Sequence, residues 1–278
     1  MLAMLVAPAL LYPFFQVASA ITGTRLIAYG AMSCAGMLVA TALAVRWFGD
    51  EWGDSTALGA SAARGRALLG GLGAGWLAIS VPTGLLIWRG AMAIEPAAAG
   101  DWWRATGMAL VMLAPSALTE ELLVRGYAFT LLQRMRGSAT AVIVTSVVFG
   151  VLHLFNPDVS AQAIVMVALA GAFLSLVRLA FDSLWAAWAA HLAYNFVQLA
   201  VFHAPVSGLA IEQPYYRLVS RGPAWLTGGA WGPEAGAGAA LGMLGVTILL
   251  AVYAGWMRVR RREGRFVIEW RPDGRRES

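Results

Sequence analysis

The sequence predicts an all-α fold, a polytopic transmembrane helix bundle of roughly eight spanning helices. Three observations lead to this prediction: 59% of the 278 residues are hydrophobic, only 13% are charged, and the long apolar runs lack the period-two alternation of a membrane-spanning barrel. A helix that crosses a bilayer needs roughly 20 apolar residues. Runs of about that length lie at residues 2–21, 26–48, 67–92, 103–133, 139–155, 161–178, 183–203 and 236–257.

The arginines predict how this bundle is oriented. All 20 basic residues are Arg, and those after residue 257 predict a basic cytoplasmic tail at residues 258–278 that contacts anionic headgroups. Counting back through the spans places fourteen arginines inside and five outside, with Arg125 left within a span. We therefore interpret the positive charge as a topology signal and expect no nucleic-acid partner. The first run ends in Ala18-Ser19-Ala20, so it is either a retained helix or a cleaved signal peptide.

The chain is predicted to form a single membrane-embedded domain over residues 1–278. Its longest interruptions, residues 49–66 and 204–235, are predicted loops, and aromatic residues in the second are typical of a membrane interface. Small residues in the third run let helices approach closely. These small residues are Gly70, Gly71, Gly73 and Gly75.

Two adjacent glutamates in the fourth run are unusual, because a charge inside a membrane is energetically costly unless it is paired or exposed to water. Glu121 and Arg125 are four residues apart, so on a helix they share a face and can form an ion pair. Glu120 is rotated about 100° away from Glu121. Desolvation and the neighbouring carboxylate then make Glu120 the better proton acceptor of the two, which is the behaviour of a general base. The alternative is that all three residues only link helices.

The three histidines supply the remaining polar candidates. His153 ends the fifth run, and His191 lies four residues before Asn195 in the seventh, so both side chains of that pair project from one helical face. His203 lies at the end of a run without a helix-spaced partner, and we expect it at the membrane interface. Each histidine alone is more typical of a hydrogen-bonded core residue than of a catalyst. The single cysteine, Cys34, cannot form an intramolecular disulfide.

Three motifs in this order resemble those of the CAAX-protease and bacteriocin-processing family, also called the abortive-infection family. They are Glu-Glu-x-x-x-Arg at 120–125, Phe-x-x-x-His at 149–153 and His-x-x-x-Asn at 191–195. The resemblance makes residues 103–203 the predicted catalytic core. It implies an intramembrane endopeptidase that acts on a membrane-associated peptide or protein, as the eukaryotic member does when it removes the last three residues of prenylated proteins.

The resemblance also implies a role for each site residue. Glu120 would activate water, and His153 would help to hold that water. His191 and Asn195 would stabilise the oxyanion that forms when the amide is attacked. Amide hydrolysis needs these groups together with a proton donor for the leaving amine.

Two further positions complete the implied catalytic set. Arg125 with Glu121 would fix the helix that presents Glu120. Phe149 is interpreted as packing within its motif. The complete implied set is Glu120, Glu121, Arg125, His153, His191 and Asn195.

We expect no cofactor, but a zinc site is the alternative. His153, His191 and Glu120 offer three ligands and leave a position open for water. The zinc-binding pattern His-Glu-x-x-His is absent from the sequence. Asn195 is a poor zinc ligand and a good oxyanion donor, which favours a mechanism without metal.

Two other functions and one geometric conflict remain at this point. A non-proteolytic immunity or scaffold protein of the same family is the first alternative, and a proton-coupled transporter is the second. The conflict is one of depth: straight helices with the bounds above place Glu120 in the cytoplasmic half and His153 near the outer end. A break at Pro115, tilt or shifted helix ends would be needed to bring them together.

Overall fold

The computed structural model describes residues 25–59, 62–63, 65–211 and 213–268, and its regular structure there is helical apart from one two-stranded ribbon. The predicted first span at residues 2–21 and the end of the predicted tail, residues 269–278, lie outside the described residues. The helices are α1 (Arg25–Trp47), α2 (Trp52–Thr56), α3 (Gly65–Trp88), α4 (Trp102–Arg125), α5 (Tyr127–Arg136), α6 (Ser138–Leu152), α7 (Ala161–Phe181), α8 (Leu184–Phe196), α9 (Ala224–Thr227) and α10 (Ala237–Ile268).

The predicted helical membrane bundle is confirmed, but the count of eight spans is not. Within the described residues, four helical segments are long and apolar enough to cross a membrane: Ile27–Trp47, Gly65–Trp88, α4 with α5, and α7. Two of the other predicted spans correspond to helices shorter than the roughly 20 residues that a bilayer core takes. Helix α6 has 15 residues and α8 has 13. The chain is an integral membrane protein, and its orientation stays a prediction.

Helices α3 and α8 pack closely against each other, and glycines make this possible. A Cβ added to Gly71 would lie 2.2 Å from the Ala186 carbonyl oxygen, and one added to Gly75 would lie 2.0 Å from that of Ala190. The predicted role of small residues is therefore confirmed at these two positions. Gly73 has no atom within 4 Å of an added Cβ and makes no such contact. The contact fixes α8, which carries His191, against the core.

A short antiparallel ribbon departs from the expectation that strands are unlikely. Strand β1 (Met92–Pro96) pairs with β2 (Tyr216–Ser220), with Ile94 opposite Leu218. Both strands lie between helices and, apart from Met92, outside the apolar runs, so the absence of alternation in the runs did not bear on them. The ribbon ties the connection after α3 to the long loop before α10.

The fourth predicted run is broken, although not at the expected residue. Pro115 lies inside α4, which continues to Arg125. The break falls at Gly126, where an added Cβ would lie 2.3 Å from the Leu122 carbonyl oxygen, so only glycine fits this bend. Helix α6 then ends at Leu152, and the chain turns at His153. The predicted difference in depth assumed straight helices through both runs. With the fourth run bent at Gly126 and α6 ending at Leu152, that assumption does not hold.

Candidate active site

A fully buried ion pair anchors the site. Arg125 Nη1 lies 2.7 Å from Glu121 Oε1, both side chains have 0% exposure, and the pair has the predicted four-residue spacing on α4. Arg125 Nη2 also donates to the Gly171 carbonyl at 3.1 Å. The guanidinium therefore joins α4 to α7, which stabilises the stretch of α4 that presents Glu120.

His191 makes a hydrogen bond that determines its protonation pattern. Its Nδ1 lies 2.9 Å from Glu121 Oε1. Because an ionised carboxylate only accepts hydrogen bonds, Nδ1 carries a proton. The other nitrogen, Nε2, then faces Glu120 Oε2 at 3.8 Å. Glu121 thus contacts both Arg125 and His191 and orients the imidazole toward the second glutamate.

His153 is oriented in the same way by the backbone. Its Nδ1 lies 2.7 Å from the Phe149 carbonyl oxygen, which can only accept, so this nitrogen also carries a proton. Its Nε2 lies 4.0 Å from Glu120 Oε2. The structure therefore brings Glu120, His153 and His191 together, although their helix bounds in the sequence had separated them.

Glu120 differs from Glu121 in its surroundings. Its side chain is 38% exposed, whereas Glu121 has no exposure. The Oε2 atom that faces the histidines is nevertheless buried, and it has no hydrogen-bond partner among the described residues. The distances of 3.8 and 4.0 Å are too long for direct hydrogen bonds but suit groups that bind one small molecule between them.

Phe149 packs at the centre of the cluster, in line with its predicted packing role. Its ring meets the His153 ring edge-on at 4.8 Å and the His191 ring at 5.9 Å. The Arg125 guanidinium lies 4.3 Å from its centroid. The ring therefore holds the two imidazoles apart and fixes their planes.

A cavity of about 30 Å³ lies beside the histidines, with enough room for a water molecule. Asn195, the last residue of the implied set, lines this cavity together with His153 and His191. Its other polar lining comes from Tyr194, Ser207 and Glu234, and its apolar lining includes Val167, Ala170, Phe173, Leu174 and Met243. The cavity thus has one polar wall and one hydrocarbon wall.

Glu234 is the site residue that sequence reasoning missed. It lies in the loop at residues 204–235, in a 3-10 turn of Pro233–Ala235, and it is only 9% exposed. Burial raises the pKa of Glu234, while the Ser207 amide and the charges of His153 and His191 act in the opposite direction. No motif pointed to it, because a single acid in a Gly- and Pro-rich loop has no helix-spaced partner.

His203 lies apart from this cluster, and the expectation that it is interfacial is not met. It is 6% exposed. Its ring stacks on Tyr216 at 3.8 Å, and its Nδ1 lies 2.8 Å from the Tyr216 carbonyl oxygen. The β2 strand supplies this partner, which the sequence did not reveal.

The arrangement of the described residues gives no support to the zinc alternative. Zinc bound by histidine and carboxylate needs at least three ligands at about 2.0–2.2 Å from one point. No group of three His, Cys, Asp or Glu side chains in the described part of the chain is placed to hold a metal ion. We therefore derive no catalytic step through a metal, and the expectation of no cofactor stays a prediction.

Comparison with known proteins gives one match. Residues 102–197 match the family described as type II CAAX prenyl endopeptidase Rce1-like. Neither the curated proteins nor the solved structures gave a match. The matched segment runs from the start of α4 to the end of α8 and contains all three motifs. Over residues 102–197 the chain is therefore similar to this endopeptidase family.

Proposed function

We propose that the chain is an intramembrane endopeptidase in which Glu120 activates a water molecule for attack on a peptide bond. The family match supports an endopeptidase at the level of the family. The observation that carries the proposal is the approach of Glu120 Oε2 to the Nε2 atoms of His153 and His191, at 4.0 and 3.8 Å.

The first step is proton transfer from water to Glu120. A water between Glu120 and His153 would donate one hydrogen bond to Glu120 Oε2 and a second hydrogen bond to the unprotonated Nε2 of His153. Both contacts lie within the roughly 3 Å reach of a hydrogen bond when the two acceptors are 4.0 Å apart. The general base then removes a proton as the water oxygen attacks the carbonyl carbon.

The second requirement is stabilisation of the oxyanion. His191 and Asn195 lie one turn apart near the end of α8 and line the same cavity. An amide N–H of Asn195 and a protonated Nε2 of His191 are suitable donors, and such donors act strongly where water is excluded. Glu121 supports the charged form of His191 through the bond to Nδ1, so its role is positioning.

The shape of the cavity favours a peptide presented from the membrane. Its hydrocarbon wall consists of side chains from α7 and α10, among them Phe173, Leu174 and Met243. An apolar group of the substrate would lie against this wall while the peptide bond meets the polar wall. The matched family is described as a CAAX prenyl endopeptidase, and we propose a membrane-associated peptide or protein as the substrate class here.

The test uses the full chain reconstituted in liposomes with two internally quenched peptides of one sequence. One peptide carries a farnesylated cysteine three residues before its carboxyl terminus, and the other carries no lipid. We expect the wild type to cleave at least one peptide at a single bond identified by mass spectrometry, and Glu120→Gln to lose that cleavage. Cleavage of neither peptide, or equal cleavage by Glu120→Gln, would contradict the proposal and favour the scaffold or transporter alternative.

A further inference from the structure

Glu234 is a second buried carboxyl group at the polar wall of the cavity, and the mechanism above leaves it without a role. It belongs to none of the three sequence motifs and reaches the cavity from the loop that precedes α10. It lines the cavity together with His153, His191 and Asn195. Unlike Glu121, it has no ion-pair partner within 4 Å among the described residues.

The turn that carries Glu234 is fixed against the bundle. The Ser207 backbone N–H donates to Glu234 Oε1, which links the two ends of the loop. Gln162 on α7 donates through Nε2 to the Ala235 carbonyl at 2.7 Å. Ala235 also packs in a buried cluster with Phe149. These contacts hold the carboxyl group at the cavity.

The surroundings of Glu234 favour its protonated form more strongly than the surroundings of an exposed glutamate would. The titratable groups that act on it are His153 after α6, His191 on α8 and, near its carboxylate, the buried Tyr194 hydroxyl. Burial is the largest influence and raises its pKa. Glu120, with 38% exposure, lies in the wetter environment of the two. Two carboxyl groups in environments this different can hold opposite protonation states.

We propose that Glu234 is a further catalytic residue of this site, the acid that donates a proton to the leaving amine. This inference rests on the proposed peptidase function. Glu120 takes one proton from water as the new C–O bond forms. Glu234 gives its proton to the amide nitrogen as the C–N bond breaks, so that a carboxylic acid and an amine leave. Transfer of the proton from Glu120 to Glu234 through the water of the cavity restores both groups.

Two separate carboxyl groups, one acting as the base and one as the acid, solve a geometric problem of amide hydrolysis. If one carboxyl group acted alone, it would remove a proton from water on one side of the carbonyl and would then have to reach the amide nitrogen on another side. Glu120 approaches the histidines from α4, whereas Glu234 reaches the same cavity from the turn before α10. The two carboxyl groups thus lie on different elements, and each lies near the same two histidines, His153 and His191. Such a pair is a recurring solution to acid–base catalysis of hydrolysis.

The test compares two leaving groups on one acyl part. The first substrate is whichever quenched peptide the wild type cleaves, and the second replaces its leaving amine with 4-nitrophenolate, which departs without a proton. Glu234→Gln keeps an oxygen that accepts the Ser207 N–H but has no acidic proton. Glu95→Gln, on the exposed ribbon beside Arg217 and Arg221, is the matched control.

We expect Glu234→Gln to slow peptide cleavage by about 100-fold or more, the usual range for a general acid, and to hydrolyse the nitrophenyl ester near the wild-type rate. The fall in the wild-type rate at alkaline pH should disappear in the variant. Equal losses on both substrates, or cleavage of the peptide by Glu234→Gln at the wild-type rate, would overturn the inference. In either case, cleavage of the peptide by the wild-type protein would still support the proposed peptidase function. If the wild type cleaves no peptide, the proposed function itself fails.

Discussion

His191 Nδ1 lies 2.9 Å from Glu121 Oε1, and this hydrogen bond determines which nitrogen of His191 faces the cavity. The same carboxylate oxygen accepts from Arg125 at 2.7 Å. Glu121 therefore couples the stability of the bundle to the geometry of the site. Among the described residues, the adjacent Glu120 pairs with the two histidines and with no arginine, so the two glutamates are expected to respond differently to substitution.

Glu121→Gln should destabilise the protein far more than Glu120→Gln. Removal of one partner from a buried pair leaves an uncompensated charge, here on Arg125, at a cost of about 3–5 kcal/mol. Thermal unfolding in detergent micelles measures the difference, with Glu95→Gln as the surface control. If Glu121→Gln unfolds at the wild-type temperature, the anchoring role of the pair is wrong.

Gly75→Ala should weaken both folding and cleavage, because the added Cβ would lie 2.0 Å from the Ala190 carbonyl oxygen. Helix α8 must then move, and His191 with it. Overpacking of this kind costs about 1–3 kcal/mol. Gly73→Ala is the matched control on the same helix, since nothing lies within 4 Å of its Cβ. A Gly75→Ala protein as stable and active as the Gly73→Ala protein would refute the close contact between α3 and α8.

Asp50 should stabilise the folded protein at pH values above the ordinary pKa of an aspartate, and this contribution should disappear in acid. The Tyr127 hydroxyl donates to it at 2.6 Å and Arg134 lies at 3.0 Å, and these contacts lower the pKa of Asp50 below 3.8. Its contribution is therefore complete above the unfolded-state pKa and disappears as pH falls through the lower, folded-state pKa. Unfolding measured from pH 7 to pH 3 should show a smaller acid-induced loss in Asp50→Asn than in the neighbouring control Glu51→Gln. Identical acid profiles for the two variants would contradict it.

Cleavage should persist after a chelator has removed divalent metal ions, because Glu120 and the histidines act on water directly in this account. The assay uses the liposomes described above, dialysed against a zinc chelator, with the metal content measured in the same sample. Activity that disappears with the metal and returns with added zinc would restore the zinc alternative through His153, His191 and Glu120.

The sequence predicted the local relationships of the site better than its global geometry. The pairing of Glu121 with Arg125 followed from helical spacing alone and is present. The approach of Glu120 to His153 did not follow, because straight helices were assumed across residues 103–133 and 139–155. The bend at Gly126 depends on a close backbone contact with Leu122, and the end of α6 depends on tertiary packing.

Glu234 shows why part of the site could not be predicted. Its place at the cavity is determined by the Ser207 amide and by Gln162, which are distant from it in sequence and belong to no spaced pattern. His203 is similar, because its partner Tyr216 comes from a strand that an apolar-run analysis does not detect. Long-range contacts made by loops leave little signal in a single sequence.

The most direct test of the central claim is the rate of peptide cleavage by Glu120→Gln relative to the wild type, at equal folded protein in liposomes. The account predicts a loss of about 100-fold to 10,000-fold, as expected when a general base is removed, with the unfolding temperature unchanged and with Glu95→Gln cleaving at the wild-type rate. Wild-type cleavage by a folded Glu120→Gln protein would contradict the account.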